Sequence, residues 1–375
     1  MANKAVLLPN ITNFPSESMR RYATELEGGL RRVAGPEWEF EVLRCEPDPR
    51  LGPRWSGRVA RFMTYPAQIR ATSGSVYHIL DHSHANLALA TPPEKSVLTC
   101  HDIIPLLAAL GKIDVPTGRL TRYSFPLRLR AMNRCKALIA GSEATKRNMV
   151  EYGGIAPEKI TVVYYGTNSL FCPQPETRVS ERRALLARHG LPEDARLILH
   201  VSSATRYKNT PAVLRLLQGL RAHKALGDKV YLIRVSAAFF PDKEQLIETL
   251  GVRERIIHAG KVDDAQLAAY YRAADLLVFP SLYEGFGWPP LEAMASGTPV
   301  ITSNVASLPE VVGDAGIALA PHDDAGFLEA SVGLLTHEER RLAVAQKCLV
   351  RAQRFTWEQC GRDVLRVYQQ VLGKN

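Results

Sequence analysis

The chain has 375 residues, 46% of them apolar and 23% charged, which is the composition of an ordinary globular protein long enough for two domains. The opening MANKAVLLPN does not read as a secretory signal, and no apolar stretch reaches the ~18 residues of a membrane span. Six scattered cysteines (Cys45, Cys100, Cys135, Cys172, Cys348, Cys360) form no CxxC pair, which argues against a disulfide framework or a zinc site and fits a reducing cytosol. Net charge is +9, and residues 1–170 carry 22 Lys/Arg against 15 Asp/Glu, so +7 of it lies in the first half. Such a balance suggests an anionic partner: a membrane surface, nucleic acid or a phosphorylated substrate.

Short apolar runs alternate with helical patterns from the first residues onward, the signature of parallel α/β architecture. KAVLLPN (4–10) reads as a strand, and Tyr22, Leu26 and Leu30 then recur at helical spacing. VYHIL (76–80), SVLTCHD (96–102), ALIAGS (137–142) and ITVVYYG (160–166) follow as strands. Between them, residues 115–136 mix basic side chains with leucines and aromatics, and Pro126 predicts two shorter helical pieces. The proline-rich 168–192 marks the linker and the entry to a second domain, with one short helix. A second alternation then begins: strands at 196–202, 229–236, 255–262, 275–281, 298–304 and 316–321, with helices near 211–223, 243–250 and 264–273. The expected domains are 1–170, joined by a C-terminal helix at 357–375, and 171–356.

The most informative stretch is EGFGWPPLE (284–292). DLLVFPS before it suits a strand buried on both faces, and ligands of open α/β sheets bind beyond the carboxyl ends of strands. Pro289 and Pro290 suit a first helical turn and Gly297 a helix end. Glu284 then lies on the loop and Glu292 in the first turn, with Gly285 and Gly287 leaving the backbone open to a ligand. A helix N-terminus there would attract phosphate. The bland alternative is two solvated acids, one of them a partner of the helix dipole.

FPSLYEGFGWPPLEAMASGTPVITSNVASLPEVVGDAG (279–316) resembles the nucleotide-sugar signature of the retaining glycosyltransferases of family 4. Glu284 and Glu292 match that family's E-x7-E motif. The resemblance implies a GT-B fold: two facing Rossmann-like domains with parallel sheets, strand ends aimed at a shared cleft, and a C-terminal crossover helix. It implies that Glu284 meets hydroxyls of the transferred sugar, helped by backbone amides of Phe286 and Gly287, that Gly285 also lines the nucleotide-sugar site, and that Glu292 meets the ribose. LHVSSATRYKN (199–209) resembles the segment that supplies basic residues to the diphosphate. Lys208 matches well and Arg206 more loosely, while Ser202 and Ser203 stand where glycines are common. LTCHDIIPL (98–106) places His101 opposite the donor sugar in relatives, with a satisfied core histidine as the alternative. In NFPSESMRRYATEL (13–26), Ser18 and Met19 replace an expected Gly-Ile pair, and Arg20 stands beside them on the acceptor side.

YHILDHSHAN (77–86) brings His78, Asp81, His82 and His84 close together. The spacing would allow a metal, but the resemblance implies that Asp81 and His82 line the acceptor side and that no metal or cofactor is needed. The expected enzyme therefore moves a hexose from a nucleoside diphosphate sugar to a glycan or lipid-linked acceptor. It works without nucleic acid, in the cytoplasm, with a possible anionic membrane surface under residues 115–136. The rival readings are a GT-B epimerase or phosphorylase, and a basic nucleic-acid-binding protein.

Overall fold

The computed structural model describes residues 2–374 except 13, 15, 16, 117, 204 and 237, and omits the side chains of 53, 54, 119, 120, 122 and 123. Twelve strands are described: β1 (Asn3–Leu8), β2 (Trp38–Val42), β3 (Val76–Ile79), β4 (Ser96–Cys100), β5 (Ala137–Ala140), β6 (Ile160–Val162), β7 (Arg196–Val201), β8 (Val230–Val235), β9 (Ile256–Gly260), β10 (Leu276–Phe279), β11 (Val300–Ser303) and β12 (Ile317–Leu319). The chain divides into two units. One contains Met1–Lys112, Pro116–Gly166 and Phe355–Asn375; the other contains Ile113–Val115 and Thr167–Arg354.

The first unit is built on a parallel sheet in the order β2-β1-β3-β4-β5-β6. Ala5 of β1 lies opposite both Phe40 of β2 and Val76 of β3. The central strands are near-continuous apolar runs because helices cover both faces. The edge strand β2 instead alternates, with Trp38 and Phe40 inward and Glu39 outward. A search for unbroken apolar runs passes over such a strand.

The last helix, Trp357–Val371, closes this unit by lying along the helix Glu17–Val33. Two glycines make that contact possible. A Cβ on Gly361 would sit 2.8 Å from the backbone of Gly29, and one on Gly29 would sit 2.3 Å from the Trp357 carbonyl oxygen. Tyr368 of the same helix bonds His78 Nδ1 at 2.7 Å, and His78 Nε2 bonds Thr99 Oγ1 at 2.8 Å. Burial pushes the His78 imidazole down to about 3, so it stays neutral. Ser142 caps the helix Glu143–Glu151 by accepting a bond from the Thr145 N–H.

One expected break is absent. Residues 119–134 form a single helix, Arg119–Arg134, with Pro126 inside it. The lost backbone bond is offset by packing, since Phe125, Ala131 and Met132 are all buried. Arg119, Leu120, Arg122 and Tyr123, part of the basic–apolar pattern read in this segment, have side chains outside the described residues.

The second unit repeats the plan with a parallel sheet in the order β12-β11-β10-β7-β8-β9. Its core joins Leu214, Leu217 and Leu220 from the helix Thr210–Ala222 to Val278, Ile301 and Leu334. The stretch 168–192 belongs to the second unit. Its helix Pro175–Arg188 carries Glu181, which takes both guanidinium arms of Arg272 at 2.7 Å, and Arg182, which pairs with Asp275 at 3.0 Å.

Candidate active site

In an open parallel sheet, a crevice forms where neighbouring strands send their connections to opposite sides. In the second unit the chain runs from β7 outward to β8 and β9, then returns to β10 and continues to β11 and β12. The switch therefore lies between β7 and β10. Lys208 follows β7 and Glu284 follows β10, so the two loops that carry the sequence motifs open at that point. They are joined directly: Leu282 donates its N–H to the Tyr207 carbonyl at 2.7 Å.

The two motif side chains meet. Lys208 Nζ donates to Glu284 Oε1 at 2.6 Å, with the side chains only 12% and 9% exposed. The ammonium also lies 5.0 Å from the Tyr207 ring centroid and 5.4 Å from that of Phe279. Their π faces hold the cation in a low-dielectric wall.

One hydroxyl ties the loop between Glu284 and the helix at two points. Ser307 Oγ donates to the carbonyls of Glu284 at 3.1 Å and Phe286 at 2.7 Å. Gly287 sits at φ +115, a conformation that a side chain would strain, and a Cβ there would also meet Leu308 at 3.0 Å. Gly285 lies between these anchors, and Phe286 is buried with its ring edge-on to Trp288 at 6.1 Å. Asn209, at φ 52, holds the facing loop through bonds from its amide to the Pro280 and Pro321 carbonyls.

The helix is Trp288–Ala295 with Gly287 as its N-cap. Glu292 is thus its fifth residue, one turn in, and not in the first turn as the spacing of the prolines suggested. The carboxylate is 3% exposed and accepts a 2.9 Å bond from Tyr271 Oη on the helix Asp264–Ala273. The helix N-terminus is a poorer source of phosphate donors than expected, because Pro289 and Pro290 carry no N–H. Its dipole remains. Gly297, at φ +79, ends the helix as read from sequence.

On the β7 side, Ser202 is not a free phosphate donor. His200 Nδ1 bonds the Val278 carbonyl at 2.9 Å, so Nδ1 carries the proton and Nε2 is the acceptor. Ser202 Oγ lies 2.8 Å from that Nε2 and must direct its proton there. Burial holds His200 down at about 4, so the arrangement persists at neutral pH. Ser203 bonds Thr205 at 3.0 Å. Arg206 opens the turn Arg206–Lys208 with an exposed side chain.

The first unit has its own switch point, between β1 and β3. Asn10, after β1, donates to Asp81 Oδ2 at 2.6 Å, and Ser83 donates its N–H to Oδ1 and its hydroxyl to Oδ2 at 2.8 and 2.7 Å. Burial works against the Asp81 charge. His82, His101 and these bonds outweigh it and hold the carboxyl well below the usual range. His82 Nδ1 lies 3.4 Å from Asp81 Oδ1, fully buried and without a hydrogen bond.

His101 differs from the direct sugar contact expected of it. Nε2 bonds the Leu80 carbonyl and Nδ1 bonds Tyr165 Oη, both at 2.8 Å. The ring is 5% exposed, and burial lowers its pKa. It is a satisfied core histidine lying behind His82, at a centroid distance of 6.4 Å. Ser18 and Arg20 lie exposed at the start of the helix Glu17–Val33, where Arg20 pairs with Glu17 at 2.5 Å; Asn13, Pro15 and Ser16 of the same motif are outside the described residues. No group of three His, Cys, Asp or Glu among the described residues is placed to hold a metal ion.

Tyr271, Ser307, His200 and Asn10 complete these sites without having been legible as site residues. Tyr271, Ser307 and Asn10 meet partners 21, 23 and 71 residues away, and His200 is set by a carbonyl 78 residues away, distances that local pattern does not report.

The family profile described as Glycosyl transferases group 1 matches residues 181–348, and that described as Glycosyltransferase Family 4 matches 20–169. The serotype-specific mannosyltransferase WbdA of Escherichia coli is 30% identical over 71% of this chain and 32% of its own length. The aligned stretch therefore spans about a third of that relative. The O-antigen chain mannosyltransferase B of Escherichia coli is 46% identical over 33% of each chain. Among solved structures, Anabaena HepE in complex with UDP and glucose superposes with a TM-score of 0.75 at 18% identity, covering 98% of this chain and 100% of that one.

Proposed function

We propose that this chain, which belongs to the group 1 and family 4 glycosyltransferases and has their GT-B fold, transfers a hexose from a nucleoside diphosphate sugar with retention of configuration. Mannose is favoured by the two mannosyltransferase relatives, and glucose by the ligand pair of HepE. The acceptor is a glycan, free or lipid-linked, in cell-surface polysaccharide synthesis, as the O-antigen relative suggests. The enzyme works in the cytoplasm, with peripheral contact to an anionic membrane. Among the described residues, no helix is long and apolar enough to cross one.

The observation that carries this reading is the Lys208–Glu284 pair at the switch point of the second sheet. Breaking the bond from sugar C1 to the diphosphate leaves negative charge on the phosphate and positive charge on the ring. Lys208, buried and fixed, stabilises the first, which is usually the largest single contribution to such catalysis, and the exposed Arg206 adds to it. When the diphosphate draws Lys208 away, Glu284 is left to accept hydrogen bonds from sugar hydroxyls. The amides of Gly285, Phe286 and Gly287 assist. Glu292, oriented by Tyr271, accepts from the ribose hydroxyls. The acceptor oxygen bonds C1 on the face the phosphate leaves, and its proton passes to the departing phosphate oxygen. No protein nucleophile and no metal cofactor enter this scheme. On the acceptor side, Asp81 and His82 bind a hydroxyl, and His101 backs them.

Thermal shift with GDP, UDP and ADP identifies the base, since ligand at 100 times its Kd adds about 2.7 kcal/mol of apparent stability. Glu284→Ala is expected to impair transfer more than binding of the bare nucleotide, and Glu292→Ala to weaken both. EDTA is expected to leave turnover unchanged. Equal losses of nucleotide affinity in the two variants, or turnover that EDTA abolishes and Mg²⁺ restores, would overturn these assignments.

A further inference from the structure

Residues 49–80 hold five arginines (Arg50, Arg54, Arg58, Arg61 and Arg70) and no acidic residue, and Asp48 just before them pairs with Arg50 at 2.8 Å. Within the same stretch four large apolar side chains stand out from the surface: Leu51 is 42% exposed, Trp55 56%, Phe62 59% and Met63 67%. Isolated exposed apolar residues are ordinary, but four within 13 positions form a patch that calls for a partner.

The backbone beneath the patch is rigidly held. Gly52–Val59 is helical, Ala60–Thr64 widens into a π turn, and Tyr65–Ala71 continues as helix. Ala60, Tyr65, Pro66 and Ile69 face the core, and Tyr65 Oη donates to the carbonyls of Pro9 at 2.9 Å and Leu43 at 2.6 Å. Trp55, Phe62 and Met63 are therefore left outside by a segment whose inner face is already full. Single-turn π bulges recur at functional sites.

Charge and apolar surface are interleaved atom by atom. The Arg58 guanidinium lies 5.6 Å from the Trp55 ring centroid and that of Arg61 lies 5.3 Å from Phe62. Arg61 is further tied to Asn86 Oδ1 at 3.1 Å and to the Ser83 carbonyl. The turn His82–Leu89 to which it is tied also packs on the helix Arg119–Arg134, and Arg134 Nε reaches the Ala88 carbonyl at 3.2 Å. Leu89 on that turn is 63% exposed, Leu127 on that helix is 62% exposed, and Arg130 beside it is exposed. The basic–apolar character thus continues on adjoining elements of the same unit.

We propose that the face of Leu51, Trp55, Phe62 and Met63, interleaved with Arg58 and Arg61, docks onto an anionic lipid surface. Aromatic and sulfur side chains beside arginines match the acyl–headgroup boundary, where apolar burial and attraction to anionic lipid act together. A second copy of this chain is a poor occupant, because the exposed Arg58 of one copy would face its like in the other. The inference deepens the membrane contact proposed above and moves its centre from 115–136 to 50–63.

The test is co-sedimentation of the full chain with vesicles of phosphatidylcholine alone and with phosphatidylglycerol added. The expected result is binding to the mixed vesicles only, fading as salt rises. The triple variant Trp55→Ser, Phe62→Ser, Met63→Ser is expected to lose tenfold or more of that binding. Arg58→Gln is expected to lose about fivefold. Melting temperature and nucleotide affinity are read in parallel, and both are expected to stay at wild-type values. The inference is overturned if the wild type ignores mixed vesicles at low salt, binds neutral vesicles equally well, or self-associates through this face. It also fails if the apolar variant binds as the wild type does. Transfer to a soluble acceptor, assayed without vesicles, reports separately on the proposed enzymatic function.

Discussion

Replacing Lys208 by Met removes one half of the pair on which the site is built. Two unit charges 2.6 Å apart attract by about 6 kcal/mol at an effective dielectric near 20. Bringing both out of water costs several kcal/mol, so the net worth of the intact pair is much smaller. Removing one partner leaves the other buried and uncompensated, which costs about 3–5 kcal/mol. The aromatic faces of Tyr207 and Phe279 soften that cost only for the lysine. Lys208→Met is therefore expected to destabilise by about 3 kcal/mol and Glu284→Gln by less, since glutamine still offers Lys208 an acceptor. The double variant is expected to be no worse than Lys208→Met, for a coupling of about 2 kcal/mol. Urea unfolding of the wild type, both single variants and the double variant measures this cycle. Additivity of the two single effects within about 0.5 kcal/mol would refute the claim that the two side chains act as one buried pair.

Other outcomes follow from the same geometry. Tyr271→Phe removes a 2.9 Å bond to the Glu292 carboxylate and is expected to weaken bare nucleotide binding roughly tenfold, about 1.5 kcal/mol; titration calorimetry against the preferred nucleotide checks it. Gly361→Ala drives a Cβ into the Gly29 backbone and should lower stability by about 1–3 kcal/mol, read by urea unfolding, while leaving nucleotide affinity alone. Burial holds His78 at about 3, and His84 and His200 at about 4, all below the unfolded value near 6.5. Their contribution is complete above pH 6.5 and is lost as pH falls toward 4, because the unfolded chain takes up protons first. By pH 5 each group removes about 2 kcal/mol, and a urea midpoint that is flat between pH 7 and 5 would contradict the argument.

Much of this molecule was readable because its signals are local. A strand buried on both faces is a continuous apolar run, so β1, β3 to β5, β7, β8, β10 and β11 stood out in the sequence, and the half-exposed β6, β9 and β12 were marked by short apolar runs as well. Proline and glycine placed the helix after Glu284 and its end at Gly297, since only backbone chemistry within a few residues is involved. The E-x7-E spacing was legible for the same reason.

What tertiary structure decided was every contact between side chains distant in sequence. That Glu284 holds Lys208, 76 residues earlier, depends on strand order, and strand order leaves no mark on either loop. The state of a histidine depends on which carbonyl meets its ring. His101 and His200 are turned inward by Leu80 and Val278, and no spacing rule predicts those partners. The helix Arg119–Arg134 runs through Pro126 because the apolar side chains around it are buried, a gain that exists only once the core has formed. The exposed face at 51–63 escaped notice for the converse reason. Trp55, Phe62 and Met63 look like core residues in sequence, and only the filled inner face of their own helix shows that they are not.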